Sequence, residues 1–187
     1  MKLVFSFDDY NSENIKLANL IKKYGFEKQT VFFIECNGSN AQDQIKQLFN
    51  MGFIIGSHTL SHPFLTRIPL EAVEEQIAGS KLIIEYITNK KCEWFAYPRG
   101  YYNKDIINLL KKYNYKYART TLLETKSNYE IGGVQLTYPK KEYDGKDPFE
   151  VAKISELNHY WGHTKEIITF SLWKKLEKFL KWAKEQK

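Results

Sequence analysis

The sequence predicts an α/β fold with a parallel sheet or barrel. Short apolar runs rich in β-forming residues alternate along the chain with segments whose apolar residues recur at helical spacing. Three helical segments end alike, with a residue that tolerates left-handed backbone and then an aromatic residue: Gly25-Phe26, Gly52-Phe53 and Asn114-Tyr115. This αβ junction, used three times, and the alternation both indicate βα units.

Apolar β-forming runs predict strands at 2–7, 30–34, 53–57, 92–96, 116–119, 134–138 and 154–162. Helical faces are predicted within 17–24, 45–49, 70–87, 106–113 and 172–183. Gly25 and Gly52 end the first two helices, and Pro69 suits the start of the third. Residues 120–132 and 139–149 are predicted loops, the second because it is rich in proline, glycine and charge. No linker divides the chain, so we expect one domain.

Composition restricts the class of protein. With 43% hydrophobic residues, the 187-residue chain can build a full core, and disorder is not expected. The net charge of +6 comes mainly from lysines spread along helices. Solvated helix faces explain this charge, with attraction to an anionic polymer or a membrane surface as the alternative. There is no arginine-rich patch and no nucleic-acid motif, so no nucleic-acid partner is predicted.

Cysteine usage and the termini bear on the compartment. Cys36 and Cys92 have no C-x-x-C spacing and no framework of partners, so they are predicted to be free thiols of a cytosolic protein. The first strand follows Met1 directly, without a signal or transit peptide, and no apolar run approaches the roughly 20 residues of a membrane span. A cytoplasmic location is therefore expected, and the oligomeric state is left open.

Candidate metal ligands follow two of the predicted strands. Asp8 and Asp9 end the first strand, and His58 and His62 follow the third. Catalytic groups of parallel α/β folds lie on loops at the carboxyl ends of the strands, so we expect these four side chains at one end of the sheet. A carboxylate and two imidazoles are ligands for a divalent metal such as Zn²⁺. Neighbouring residues on an extended chain point in different directions, so one acid can bind metal while the other acts as a base.

Each motif alone has a plainer explanation. Adjacent acids are often a solvated turn, paired histidines can cap or pack, and the turn at 97–100 is unremarkable by itself. Their convergence at one end of the predicted sheet favours a catalytic site. His159 and His163 are the only other histidines, so a general acid of near-neutral pKa must be one of them.

Three segments together resemble the polysaccharide deacetylases, carbohydrate esterase family 4. Residues 7–9 (FDD), 58–62 (HTLSH) and 95–100 (FAYPRG) are similar in order and spacing to the first three motifs of that family. The resemblance extends from Phe5 to the final helix. It identifies residues 1–187 as a single polysaccharide deacetylase-like catalytic domain.

The resemblance implies a distorted (β/α) barrel of about seven parallel strands. It also implies metal-dependent hydrolysis of N-acetyl or O-acetyl groups, and hence an acetylated oligo- or polysaccharide substrate. By motif position, Asp9, His58 and His62 hold the metal, for which Zn²⁺ is expected. Asp8 is implied as the general base, and the backbone N–H of Arg99 is implied as an oxyanion donor.

The family's fifth motif, Leu-x-His, implies the general acid. Residues 157–159 fit it literally, whereas His163 fits it by position. We favour His163 because it lies nearest the carboxyl end of the predicted strand, and His159 remains the alternative.

Three departures from the family pattern bear on substrate choice and activity, and one of them is that Arg99 stands where the family usually has a tyrosine. Ala96 stands where the family often has an arginine that orients the base, and Arg119 is a candidate replacement. The fourth motif, Asp-x-x-Asp-Trp, is not visible. A catalytically weakened carbohydrate-binding module on the same scaffold is therefore one alternative. A hydrolase of another linear amide or ester is the other.

Overall fold

The structure is a computed structural model that describes residues 3–137, 146–154 and 158–186. Its strands form one sheet, in which every neighbouring pair runs parallel. The strands are β1 Val4–Asp8, β2 Thr30–Ile34, β3 Ile54–Ser57, β4 Trp94–Ala96, β5 Tyr117–Arg119, β6 Val134–Gln135 and β7 His159–His163. The helices are α1 Asn14–Lys23, α2 Ser39–Asn50, α3 Leu70–Thr88, α4 Lys104–Lys112, α5 Pro148–Ile154, α6 Thr164–Thr169 and α7 Trp173–Glu185.

The strand order makes β1 an inner strand of a curled sheet. Across the sheet the order is β5-β4-β3-β2-β1-β7-β6. Parallel neighbours require crossover connections, which the helices between successive strands supply. Ile131, three residues before β6, bridges to Arg119 at the end of β5, which brings the two edges of the sheet together. The predicted fold, a distorted (β/α) barrel of seven parallel strands, is confirmed.

Successive side chains along a strand point alternately to the helices outside the sheet and to the interior of the curled sheet. Phe5 and Phe7 of β1 belong to the large buried cluster that packs against the helices. Asp8 lies next to Phe7 in the strand and therefore points to the opposite face. On that face Phe33 and Ala96 belong to a second, smaller apolar cluster. The carboxylate of Asp8 thus lies inside the barrel, on the same face as this small apolar cluster.

Of the seven predicted strands, only the one at 30–34 has its predicted bounds, and the largest differences concern the last two predicted strands. The last strand was predicted from Ile154, but Ile154 ends α5 and β7 begins at His159. The strand predicted at 134–138 is present as β6 over Val134–Gln135, and Tyr138 lies outside the described residues.

Helix α5 begins inside the region that was predicted to be a loop at 139–149. Asp147 accepts the backbone N–H of Phe149 at 3.1 Å, and Pro148 occupies the first helical position. An aspartate followed by proline at a helix start is a standard capping arrangement, because proline has no N–H to satisfy there. The loop prediction overlooked this signal, and residues 139–145 lie outside the described part of the chain.

The cysteines and the helices agree with the composition. Cys36 and Cys92 are free, as predicted, and both are buried. Among the described residues, no helix combines the length and the apolar character that crossing a membrane requires.

Gly56 on β3 makes room for the Phe33 ring inside the barrel. A Cβ at Gly56 would lie 2.4 Å from two carbons of that ring, and Phe33 is fully buried. We therefore expect Gly56→Ala to lower the free energy of unfolding by about 1–3 kcal/mol in urea titrations. In a Phe33→Leu background the additional cost should fall, because the clash is gone. An equal cost in both backgrounds would contradict this explanation.

Candidate metal centre and active site

The site lies at the carboxyl ends of the strands, where the backbone is unusually strained. Seven non-glycine residues have positive φ in the described chain, and four of them line or flank this site: Asp9, Thr59, His62 and Arg99. A non-glycine residue in left-handed backbone costs of order 1 kcal/mol, and such residues cluster at functional sites. Asp9, with φ of 69°, directly follows the extended Asp8. The turn in the backbone sends the two neighbouring carboxylates to different places.

Asp9, His58 and His62 converge as a set of three donors. The Nε2 atoms of His58 and His62 lie 3.4 Å and 3.6 Å from Oδ1 of Asp9. All three donor atoms lie within 4.8 Å of one another. Three donors about 2.1 Å from a shared Zn²⁺ at tetrahedral angles are roughly 3.4 Å apart. Oδ1 of Asp9 has no hydrogen-bond partner in the described residues, so the spacing and the free oxygen both fit a divalent metal.

Hydrogen bonds hold the two imidazoles in the orientation that a ligand needs. Nδ1 of His58 lies 2.8 Å from the carbonyl oxygen of Ala96, and this contact assigns the proton to Nδ1. The Nε2 lone pair is then directed toward Asp9. Thr59 supports the second imidazole, because its Oγ1 accepts the backbone N–H of His62 at 2.9 Å.

The protonation states also favour metal binding. Burial, followed by the charge on His58, lowers the pKa of His62 to about 4, so this imidazole is neutral at pH 7. For Asp9, burial alone raises the pKa. Attraction to the neighbouring imidazoles of His58, His163 and His62 outweighs burial and brings the pKa to about 2. A neutral imidazole and an ionised carboxylate are the ligating forms of these groups.

Asp8 forms a buried ion pair with Arg119. Nη2 of Arg119 donates to Oδ2 of Asp8, and the two side chains are 1% and 3% exposed. The guanidinium also lies over the Trp161 ring, with Cζ 4.4 Å from its centroid. Burial lowers the pKa of Arg119 to about 9, which still leaves the group charged at neutral pH. Oδ1 of Asp8 has no hydrogen-bond partner among the described residues, so one oxygen is held and the other is free.

Register brings His163 to Asp8. The two residues are paired across β7 and β1, and Nε2 of His163 lies 3.8 Å from Oδ2 of Asp8. The other ring nitrogen, Nδ1, lies 2.9 Å from Oε2 of Glu166, which also accepts a hydrogen bond from Thr137. Burial by itself raises the pKa of Glu166. Hydrogen bonds and charge from His163, with bonds from Thr137 and Gln135, outweigh burial and lower the pKa, so the carboxylate is ionised.

Glu166 did not emerge from the sequence as a site residue. It lies in the first turn of α6, three residues after His163, which is the residue that caps that helix. A glutamate three residues beyond the cap is a known helix-start pattern. That spacing was the signal available in the sequence, but the pattern does not indicate that the carboxylate turns to a histidine ring.

His159 lies at the other end of β7. It is paired with Val4, the first residue of β1, and its Nε2 is 2.9 Å from Oγ of Ser6. His163 lies four positions further along the strand, roughly 13 Å away. The cavity at the carboxyl ends has a volume of about 280 Å³. It is lined by Asp8, Asp9, His58, His62, Tyr97, Arg99, Gly100, Arg119, Thr121, Trp161 and His163. The structure therefore brings together every predicted site residue except His159.

A sequence model of the family described as polysaccharide deacetylase matches residues 2–118. The chain belongs to this family. Among curated relatives, the YxkH protein of Bacillus subtilis (strain 168), which is named for the same family, is 27% identical over 124 residues. That match covers 64% of this chain and 44% of YxkH, so the chain spans less than half the length of this relative.

Solved structures share the fold of this chain. A CE4-family pseudoenzyme from Bacillus anthracis superposes with a TM-score of 0.72 at 17% identity, covering 99% of this chain and 61% of the other. A family 4 carbohydrate esterase from Streptomyces lividans, solved in complex with acetate, gives a TM-score of 0.70 at 14% identity, covering 97% and 88%. At these identities the likeness concerns the fold.

Ala96 stands where the family often carries an arginine, and another arginine lies beside it on the neighbouring strand. Ala96 is paired with Arg119 across β4 and β5. Arg119 is therefore displaced by one strand at the same level of the barrel, and its guanidinium contacts Asp8. A positive charge therefore lies beside Asp8 although the motif residue is absent.

The buried His159 should affect stability through pH. Burial, followed by the charge of Arg119, lowers its pKa in the folded protein from 6.5 to about 3. Between these values the unfolded chain binds a proton that the folded chain does not. The free energy of unfolding therefore falls as the pH decreases through this range, by up to about 1.4 kcal/mol per pH unit.

His159→Gln should remove that contribution, so its free energy of unfolding should depend less steeply on pH than that of the wild type between about pH 4 and 6. Urea unfolding at several pH values measures both slopes. His62 contributes in the same direction but is present in both proteins, so the difference reports His159. Identical slopes would contradict the expected effect.

Proposed function

We propose that this chain is a metal-dependent deacetylase that hydrolyses N-acetyl or O-acetyl groups of an oligo- or polysaccharide. The supporting observation is that the candidate metal ligands and a further carboxylate occupy separate positions at the carboxyl ends of the strands. Three donor atoms are spaced for one cation, and a second carboxylate in the same cavity is held apart from them by Arg119.

Asp9, His58 and His62 would hold the metal, and their donor set and spacing suit Zn²⁺. A divalent metal bound there supplies a water of lowered pKa and polarises the acetyl carbonyl. The residues around it then have to remove a proton, stabilise the oxyanion and protonate the leaving group.

Asp8 is proposed as the general base. Arg119 fixes Oδ2, so Oδ1 is the oxygen that faces the reacting water and takes its proton. The pairing favours the carboxylate form of Asp8 and holds its orientation. The backbone N–H of Arg99, on the turn that lines the cavity, is proposed to donate to the oxyanion, a contribution typically worth about 3 kcal/mol.

His163 is proposed as the general acid. An amine leaves poorly as an anion, so the nitrogen has to be protonated as the C–N bond breaks. The Nδ1–H of His163 donates to Glu166, so in the imidazolium form of His163 the second proton, on Nε2, is the one free for transfer into the cavity. Glu166 thereby supports the imidazole in the absence of the family's fourth motif.

The alternative of a weakened carbohydrate-binding module drew on Ala96 and on the missing fourth motif. Arg119 and Glu166 supply a guanidinium to Asp8 and a carboxylate to His163, which favours the enzyme. Hydrolysis of another linear amide or ester uses the same groups, so the substrate has to be established by assay.

The central test is acetate release from chitin oligomers, peptidoglycan fragments and acetylated xylan, together with metal content by elemental analysis. His58→Ala combined with His62→Ala should lose both metal and activity. Asp8→Asn should keep the metal but lose most of kcat. Asn at position 8 leaves Arg119 buried without a counter-charge. The fold of the Asp8→Asn variant therefore has to be checked by circular dichroism. Normal turnover in folded Asp8→Asn would remove Asp8 from the role of base.

A second test concerns the acid. His163→Ala should lower kcat on N-acetyl substrates by about 10²–10⁴-fold, and Glu166→Gln by about 10–100-fold with little change in KM. Glu166→Asp should recover part of the loss. His159→Gln serves as the matched histidine control and should keep kcat. If His163→Ala leaves amide cleavage unchanged, the assignment is wrong.

A further inference from the structure

The use of arginine in this chain is confined to one region. The chain has 28 basic residues, of which only Arg67, Arg99 and Arg119 are arginines. Arg119 lies inside the cavity beside Asp8, and Arg99 lines the same cavity. Arg67 belongs to the short turn Leu65–Arg67, which follows the His62 loop. All three arginines therefore lie in or near this cavity, whereas the other basic residues are lysines, among them Lys165 on the adjoining pocket.

Arg99 and Arg67 are held on one aromatic ring. Their Cζ atoms lie 4.3 Å and 4.4 Å from the centroid of Phe64, and the ring of Tyr101 lies 5.8 Å from the same centroid. Two guanidinium groups that share one ring are within about one Debye length of each other, roughly 8–10 Å. Such a pair repels itself unless an anion lies between or beside the charges.

The described residues supply no such anion. Both arginines are exposed, and neither takes part in an ion pair among the described parts of the chain. By contrast, Arg119 is paired with Asp8. Stacking on Phe64 orders the two exposed guanidinium groups and leaves their N–H edges available.

The backbone at Arg99 adds an independent argument. Its φ is 58°, a conformation that glycine adopts without cost and asparagine adopts readily. A glycine at this position would offer the same backbone N–H with less strain. The arginine side chain therefore has a use that offsets the cost of its backbone conformation.

We infer that Arg99 and Arg67 form an anion subsite on the rim of the cavity, and that the acetylated glycan carries a carboxylate or phosphate group beside the acetylated sugar. Guanidinium groups bind both anions in a planar, bidentate manner that ammonium groups cannot reproduce. The net charge of +6 favours the approach of such a polymer. This inference rests on the proposed deacetylation for the identity of the glycan, but the anion subsite can be measured by binding alone.

The test uses substrates that differ only in charge. For the carboxylate, an alternating N-acetylglucosamine–glucuronate oligosaccharide is compared with its carboxyl methyl ester. For the phosphate, an N-acetylglucosamine oligomer phosphorylated at O6 is compared with the unmodified oligomer. Equilibrium Kd by calorimetry and kcat/KM for acetate release are measured with the metal-loaded protein. We expect at least one anionic substrate to be preferred over its neutral partner by about tenfold.

The preference should depend on the two arginines. Arg99→Gln and Arg67→Gln should each reduce the anionic-to-neutral ratio, and the double variant should bring it close to one. Arg99→Lys should retain only part of the preference, since lysine keeps the charge but loses the planar contact. Lys22→Gln removes an equal charge from the exposed side of α1 and should keep the wild-type ratio. Ratios within one protein cancel any general loss of activity in a variant.

The outcomes separate the two proposals. Equal Kd and kcat/KM for anionic and neutral substrates would overturn the anion subsite while leaving deacetylation intact, as would a preference that survives in the double variant. Anion-dependent Kd without acetate release from any substrate would overturn the deacetylase and retain the subsite. No binding of either anionic oligosaccharide would also overturn the subsite. The substrate pair that shows the preference identifies the carboxylate or the phosphate as the group recognised.

Discussion

The buried ion pair between Asp8 and Arg119 is the interaction on which the rest of the site depends. The two side chains are almost completely withdrawn from solvent, and a lone charge in that position would be very costly. Each charge is tolerated only because the other is present. Asp8 lies on β1 and Arg119 on β5, with three strands between them in the sheet. Their contact therefore requires the sheet to curl, which links the curvature of the barrel to the orientation of one carboxylate.

The second constraint is the change of backbone conformation at the end of β1. Asp8 still follows the pleat of the strand and points into the barrel, whereas Asp9 adopts left-handed backbone and faces the two imidazoles. Two adjacent acids thus have separate surroundings, one beside a guanidinium and one beside two imidazoles. Electrostatics can then favour different tasks in neighbouring residues, which supports the proposed division between base and metal ligand.

Local patterns predicted the parts of this site that depend on local sequence. Asp8, Asp9, His58 and His62 follow strands whose apolar runs are recognisable, so their meeting could be expected from the rule for parallel sheets. His159 and His163 fit one sequence motif almost equally, because the sequence does not specify strand register. In the structure, register pairs His163 with Asp8 and His159 with Val4. Arg119 could only be suggested and Glu166 was missed, since both reach their partners through tertiary packing rather than chain spacing.

The pairing of Ala96 with Arg119 has a consequence for how such chains are compared. Positions at the same level of adjacent strands can deliver a side chain to the same point, so a functional group can migrate sideways between strands while its destination is conserved in space. A search for a sequence motif registers only that the motif residue is absent, because it does not see a group supplied from the neighbouring strand. In this chain, the group that reaches the Asp8 carboxylate is therefore found from the pairing of β4 with β5, and not from the residues that precede Pro98.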